Sequence, residues 1–75
     1  MPRLPVMTAR AVLRVLERAG FTIHHQRGSH VHLRHLEKPH LRIVVPSHNR
    51  DLAPKTLRTI IAQAEISVDE FLNSM

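Results

Sequence analysis

The sequence contains no cysteine, so it can form neither a disulfide framework nor a thiolate nucleophile, and a zinc site would depend on histidine and carboxylate ligands. Tryptophan and tyrosine are also absent, which leaves Phe21 and Phe71 as the only residues of that aromatic class. This scarcity disfavours recognition of single-stranded bases on aromatic platforms. Any bound nucleic acid is therefore expected to be held through its phosphates and sugar hydroxyls.

Long apolar runs are missing as well. The N-terminus MPRLPVMTAR lacks the apolar stretch of a signal peptide, and no segment approaches the roughly 20 apolar residues that span a bilayer. A cytoplasmic protein without membrane association is therefore expected. Acidic residues number 6 against 11 Lys plus Arg, giving a formal net charge of +5 in 75 residues, and seven histidines add positive charge as the pH falls. A polyanionic partner is expected, with nucleic acid favoured over an acidic protein or a membrane surface.

Apolar spacing predicts two amphipathic helices and a short third one. The first begins at Ala9 after Thr8 as N-cap and ends at Gly20, where a left-handed residue is favoured. Pro54 is suited to the first position of the second helix. Ser67 and Glu70 form a capping-box pattern, which predicts that the terminal helix starts at Val68. The first helix also carries three evenly spaced cations on its polar face: Arg10, Arg14 and Arg18.

Alternating apolar and polar residues predict three strands in FTIHHQ, SHVHLRH and HLRIVVP. Four side chains of the first two strands should face one core: Phe21, Ile23, Val31 and Leu33. If these four residues share a face, the numbers of any two directly paired residues must add up to an even number, so the first turn must have an odd length. A two-residue Arg27-Gly28 turn is therefore excluded. A three-residue loop Gln26-Arg27-Gly28 fits, with Gly28 in the left-handed position, and it sets His24 opposite His30.

These elements predict an α+β fold, a two-layer α-β-β-β-α sandwich whose antiparallel sheet is covered by helices on one face. Pro39 should mark the turn between the second and third strands. The uncovered face is expected to concentrate imidazole and guanidinium groups. Its members are Thr22, His24, His30, His32, Arg34, His40 and Arg42.

Three segments, ERAGFTIHHQRGSHVHLRH, IVVPSH and TLRTIIAQAEISVDEFL, resemble the HicA family of small toxins from toxin-antitoxin systems. The resemblance covers nearly the whole chain, taken as a single domain over 1–75. It rests on the order and spacing of A-G-F at 19–21, R-G-S-H at 27–30, Pro46 with His48, and T-L-R at 56–58. Two positions depart from the family pattern: Lys55 and Glu65 stand where glycine is usual or frequent.

The resemblance implies a fold like that of double-stranded-RNA-binding domains and an endoribonuclease that cleaves mRNA without the ribosome. It implies a HicB-like antitoxin as inhibitor, with the toxin a monomer alone and a hetero-oligomer in the complex. It also implies that His30 is the essential catalytic residue, supported by Gly28 and Ser29. His24 and His32 are not part of the family pattern.

RNA carries its own nucleophile, the 2′-hydroxyl, so its cleavage needs only proton transfers and stabilisation of charge on phosphorus. Histidine can serve either proton transfer near neutral pH, with His30 as the first candidate and His48 as the second. No metal or cofactor is required. Five cations are candidates for binding RNA phosphates: Arg27, Arg34, Arg42, Lys55 and Arg58.

Two alternatives stay open at this stage. The chain could be a non-catalytic module that binds RNA or an antitoxin with the same fold. A zinc ion held by His24, His30 and His32 is the other, although neighbouring arginines disfavour a cation there. The preferred RNA sequence and the role of His30 as acid or base are not determined by the residues.

Overall fold

A computed structural model describes residues 3–48 and 50–75. Its elements follow the predicted α-β-β-β-α order with a short terminal helix. In chain order they are α1 (Ala9–Arg18), β1 (Phe21–Arg27), β2 (His30–His35), β3 (Arg42–Pro46), α2 (Pro54–Gln63) and α3 (Val68–Asn73). The strands form one antiparallel sheet in the order β1-β2-β3.

Both ends of α1 behave as the sequence predicts. The Thr8 hydroxyl accepts a hydrogen bond from the Ala11 N–H at 3.2 Å and so satisfies one of the free amides of the first turn. Gly20 follows the C-cap with φ +101°, a conformation that a residue with a Cβ rarely adopts. The helix can therefore turn directly into β1 at Phe21.

The core lies between the sheet and the helices. Helix α1 packs on β1 and β3, and α2 packs on β3. Alternation along the strands directs their apolar residues into this layer, and Phe71 of α3 closes it. Within the described residues every buried side chain is hydrophobic. The largest fully buried ones are Phe21, Phe71, Leu16, Leu33, Ile43, Leu57, Ile60, Val12 and Val45.

The predicted loop between β1 and β2 is one residue too long. Strand β1 continues to Arg27, which pairs with His30, so the loop is the two-residue turn Gly28-Ser29. Gly28 has φ +58° at the first turn position, where a tight hairpin of type II′ favours glycine. The prediction that His24 lies opposite His30 is therefore wrong.

A β-bulge at His24 explains the error. Near the core end, Phe21 pairs with His35 and Ile23 pairs with Leu33, in the predicted even register. The register shifts between Ile23 and His25, since the bulge places one extra residue in β1. An uninterrupted strand would require an odd-length turn, whereas a bulged strand satisfies both the core register and the two-residue turn.

Two further expectations are wrong, namely the burial of Ile23 in the core and the position of His40 on the open face. Ile23 shares the helix side of the sheet with Leu33, but 51% of it is exposed because β1 is an edge strand whose outer part the helices do not cover. His40 belongs to the turn before β3 rather than to the open face of the sheet. That turn is closed by the Leu41 N–H donating to the Lys38 carbonyl at 2.9 Å, with Pro39 in its predicted place.

The C-terminal elements form as predicted. Pro54 opens α2, and the α3 capping box is complete: the Ser67 hydroxyl accepts from the Glu70 N–H, and the Glu70 carboxylate accepts from the Ser67 N–H. Between these helices Glu65 has φ +56°, the left-handed conformation in which glycine is favoured. A residue with a Cβ there carries backbone strain.

Candidate nucleic-acid interface on the open face of the sheet

The face of the sheet away from the helices is open, and we call it the open face. Directly paired residues share a face, so the register defines its members. All of them are exposed or half-buried. They are Thr22, His25 and Arg27 of β1, His30, His32 and Arg34 of β2, and Arg42, Val44 and Pro46 of β3, with His24 added at the bulge.

The open face has one sign of charge. Arg27, Arg34 and Arg42 supply permanent positive charge, and within the strands FTIHHQR, HVHLRH and RIVVP there is no aspartate or glutamate. Arg34 is paired directly with Arg42 across β2 and β3, an arrangement that like-charge repulsion disfavours unless an anion lies nearby. A phosphate backbone would relieve this repulsion and release its own counterions on binding.

His30 lies at one end of this face, where the hairpin meets the end of β3. It is exposed and pairs with Arg27 on one side and with Pro46 on the other. Beyond that pair the Ser47 N–H donates to the Ser29 carbonyl at 2.6 Å. The predicted motif residues Gly28 and Ser29 thus fix the turn beside His30 and connect it to the loop that carries the exposed His48.

Three histidines form a cluster in the middle of the open face, which we call the histidine cluster: His24, His25 and His32. The rings of His25 and His32 are stacked, with centroids 4.2 Å apart and planes inclined by 13°. The His24 ring meets His25 edge-on at 5.0 Å and 75°, and their Nδ1 atoms are 2.8 Å apart. At this distance one of the two nitrogens donates a hydrogen bond and the other accepts it.

The pKa of His32 is lowered below its ordinary value of 6.5. Partial burial of its ring is the largest cause, and positive charge on His25, His30 and Arg27 adds to it. The charged form of this imidazole is therefore disfavoured. A shallow depression of about 70 Å³ lies beside the cluster and is lined on its other side by Arg34 and Arg42.

A comparison with models of protein families matches residues 9–66 of the 75-residue chain to the family described as the HicA toxin of bacterial toxin-antitoxin systems. The chain belongs to the HicA toxin family. A comparison with curated proteins gives no match. Membership gives the chain the role of the toxin in a toxin-antitoxin pair. The HicA match spans α1 to the end of α2 and therefore includes the whole open face, whereas α3 lies beyond it.

The structure separates the predicted RNA-binding cations of this HicA family member into two groups. Arg27, Arg34 and Arg42 share the open face with His30. Lys55 and Arg58 are exposed on α2, in the helix layer on the other side of the sheet. Arg58 instead lines a groove of about 540 Å³ formed with the N-terminal segment around Leu4 and Val6.

Two histidines of the chain have positions that sequence reasoning missed. The interpretation placed His24 on the open face but not His25, because only the bulge brings His25 opposite His32. His35 has a structural position: its Nδ1 accepts from the N–H groups of Glu37 and Lys38 at 3.1 Å each, and its Nε2 lies 3.2 Å from the Ala19 carbonyl. The ring therefore connects the end of α1 to the β2–β3 turn.

Residues 3–48 and 50–75 contain no group of three or more His, Asp or Glu side chains arranged to hold a metal ion. In particular His30 belongs to a different part of the open face from the histidine cluster. None of the helices in those same ranges is both long enough and apolar enough to cross a membrane.

Proposed function

We propose that this member of the HicA family is a cytoplasmic endoribonuclease that cleaves mRNA independently of the ribosome, uses His30 as its acid-base residue and requires no metal. A HicB-like antitoxin inhibits it. One observation carries the proposal: His30 pairs directly with Arg27 at the exposed end of a face whose strands lack acidic residues. A titratable group beside a fixed cation is what cleavage at a phosphodiester requires.

The reaction follows from the chemistry of RNA. The 2′-hydroxyl gives its proton to a base and its oxygen attacks the adjacent phosphorus. The bond from phosphorus to the 5′ oxygen breaks, and that oxygen takes a proton from an acid, leaving a 2′,3′-cyclic phosphate and a 5′-hydroxyl. His30 performs one of these proton transfers, and each such transfer contributes about 10²- to 10⁴-fold to the rate.

The neighbouring groups supply the remaining functions. Arg27 stabilises the additional negative charge on the phosphorane, because guanidinium stays charged and binds phosphate oxygens as a fork. His48 is the candidate for the second proton transfer, since the Ser29–Ser47 hydrogen bond holds its loop beside the turn that precedes His30. Arg34 and Arg42 bind phosphates farther along the strand. Lys55 and Arg58 contact RNA that reaches round to α2.

The antitoxin is expected to cover the open face in the inactive complex. That face is basic, and no helix of the part of the chain that the structure describes covers it, so an acidic surface on the partner would fit it. The free toxin is a monomer of one domain over 1–75, and the complex is a hetero-oligomer.

The test is a cleavage assay of the purified chain on a structured mRNA with EDTA present, comparing the native protein with His30→Ala and His40→Ala. His40 is the matched control, because it is an exposed histidine in a turn away from the open face. We expect His30→Ala to lower the rate at least 100-fold and His40→Ala to leave it unchanged. Cut products should carry a 5′-hydroxyl.

Cleavage that persists in folded His30→Ala, or that EDTA abolishes, would contradict the proposal. If neither protein cuts while both bind RNA with salt-dependent affinity, the chain is an RNA-binding module rather than an enzyme.

A further inference from the structure

The histidine cluster gives the open face an aromatic surface that composition alone argues against. The chain has no tryptophan or tyrosine, and both phenylalanines are buried in the core. Yet the imidazole rings of His25 and His32 stack at 4.2 Å, and His24 extends the surface with an edge contact. Two of the rings therefore lie face to face, and the third lies nearly perpendicular to His25, on strands whose outer side is exposed.

Imidazole belongs to the side chains on which unstacked RNA bases are held, together with Phe, Tyr and Trp. Stacking needs a planar face that is fixed in position. The pairing of His25 with His32 across the strands and the His24–His25 hydrogen bond at 2.8 Å supply that order. A ring that is already packed loses little further side-chain entropy when a base is added.

The cluster is placed at a suitable distance from the proposed reactive group. His32 is two residues beyond His30 on the same face of β2, which corresponds to about 7 Å along the strand. A single nucleotide bridges such a distance between its phosphate and its base. Arg34 and Arg42 border the depression next to the cluster and can hold the following phosphate.

We propose that the stacked His25–His32 pair, with His24 at its edge, is a binding site for an unpaired RNA base next to the phosphate at His30. The proposal rests on the proposed function, because it takes RNA as the ligand. It adds a class of ligand group, a nucleobase, and makes His25 and His32 the residues that favour single-stranded over paired RNA. Stacking of a base on the rings releases no counterions, so this part of the affinity does not vary with salt.

Binding is measured by fluorescence anisotropy with a labelled single-stranded RNA of 12 nucleotides and the full chain carrying His30→Ala, so that cleavage does not consume the probe. In that background His25→Leu removes the planar ring and keeps an apolar side chain, while His25→Phe keeps a planar ring and removes the imidazole nitrogens. We expect His25→Leu to weaken binding about 5- to 150-fold, the equivalent of about 1–3 kcal/mol per stacked base. His25→Phe should stay within about threefold.

The salt dependence separates stacking from charge. His25→Leu should leave the slope of log K against log salt unchanged, whereas Arg34→Ala should reduce the slope by about 0.7. A second arm uses the same RNA with one abasic nucleotide moved along the strand. When the abasic nucleotide occupies the site, His25→Leu should not weaken binding any further.

The proposal is overturned if folded His25→Leu binds as well as its parent, or if the Leu and Phe variants weaken binding equally. Failure of the proposed function is a separate result, read from the cleavage assay of the native chain. Loss of binding in His25→Leu without any cleavage by the native protein would keep the base site and reject the endoribonuclease.

Discussion

The two faces of the sheet consist of the same three strands but differ in character: one is apolar and buried, and the other is polar and exposed. On the covered face Leu33, Ile43 and Val45 are at most 1% exposed, and on the open face His30 and Arg42 remain exposed to water. Neighbouring residues of one strand therefore contribute to different properties, one to the core and the next to the surface. Stability and ligand binding can be altered independently at adjacent positions.

The largest expected difference between the faces is at Leu33 and Arg34, consecutive residues of β2. Leu33→Ala removes a fully buried side chain from the central strand and should lower the free energy of unfolding by about 3–5 kcal/mol. Arg34→Ala on the open face should change it by about 0.5 kcal/mol or less. Urea denaturation followed by circular dichroism measures both.

An equal loss of stability in the two variants would contradict this division of the sheet. Because a 75-residue domain has little stability to lose, Leu33→Ala could unfold completely, so Ile43→Val provides a milder variant. It should cost about 0.5–1.5 kcal/mol.

The two glycines lie on opposite sides of this division, since Gly20 follows a helix of the covered layer and Gly28 lies in the turn next to His30. At Gly20 an added Cβ would lie 2.7 Å from Nε2 of His35, and φ is +101°. At Gly28 φ is +58°, and within residues 3–48 and 50–75 an added Cβ would meet no atom within 4 Å apart from its chain neighbours. Gly20→Ala should therefore lower the free energy of unfolding by about 3 kcal/mol through backbone strain and loss of the His35–Ala19 contact. Gly28→Ala should cost about 1–2 kcal/mol.

Thermal denaturation of the two glycine variants compares them directly. If Gly28→Ala lowers the free energy of unfolding as much as Gly20→Ala does, the His35 contact does not contribute to stability. His35→Ala provides an independent test of this contact, because it removes the ring that the Cβ added at Gly20 would meet.

A smaller effect, of opposite sign, is expected at the end of α2. Glu65→Gly relieves the left-handed strain at φ +56° and should raise the free energy of unfolding by about 1 kcal/mol, which corresponds to about 5 °C in Tm. Ala62→Gly is the matched control, because it places glycine at an exposed position within the same helix and should lower stability by about 1 kcal/mol. Destabilisation by Glu65→Gly would show that the carboxylate makes a compensating interaction.

The smallest effect concerns pH and belongs to the open face. The lowered pKa of His32 means that the unfolded chain takes up a proton there more readily than the folded one. Protonation of His32 therefore does not lower the free energy of unfolding above about pH 6.5, and it lowers that free energy as the pH falls below this value. The free energy of unfolding, measured by denaturation at pH 7.5 and pH 5.5, should fall less between these two pH values in His32→Phe than in the native chain. Identical losses would contradict the assignment.

Local sequence patterns predict most of the fold. The periodicity of Leu57, Ile60 and Ile61 gives α2, and the Ser67–Glu70 pair gives the start of α3. Each of these depends on interactions within a few residues, so the chain segment alone is sufficient. The exposure of Ile23 is different, because it depends on how far the helices extend over an edge strand.

The candidate site divides in the same way. The positions of His30, His32 and Arg34 on one face of β2 follow from alternation, and the sequence resemblance indicated His30. The grouping of His25 with His32 does not follow, because it requires the bulge at His24. Nor does the separation of Lys55 and Arg58 from the open face, which depends on where α2 packs.

Local patterns in the residues are thus sufficient to predict the order of the elements, the apolar side of the sheet and the basic character of the other side. The register of β1 against β2, and with it the stacked histidine pair, depends instead on tertiary packing. Two preferences compete in this hairpin. The two-residue turn at Gly28 requires one parity of pairing, while burial of Phe21 and Leu33 requires the other. The bulge at His24 satisfies both preferences, and such a solution exists only when the two strands and the core are assembled.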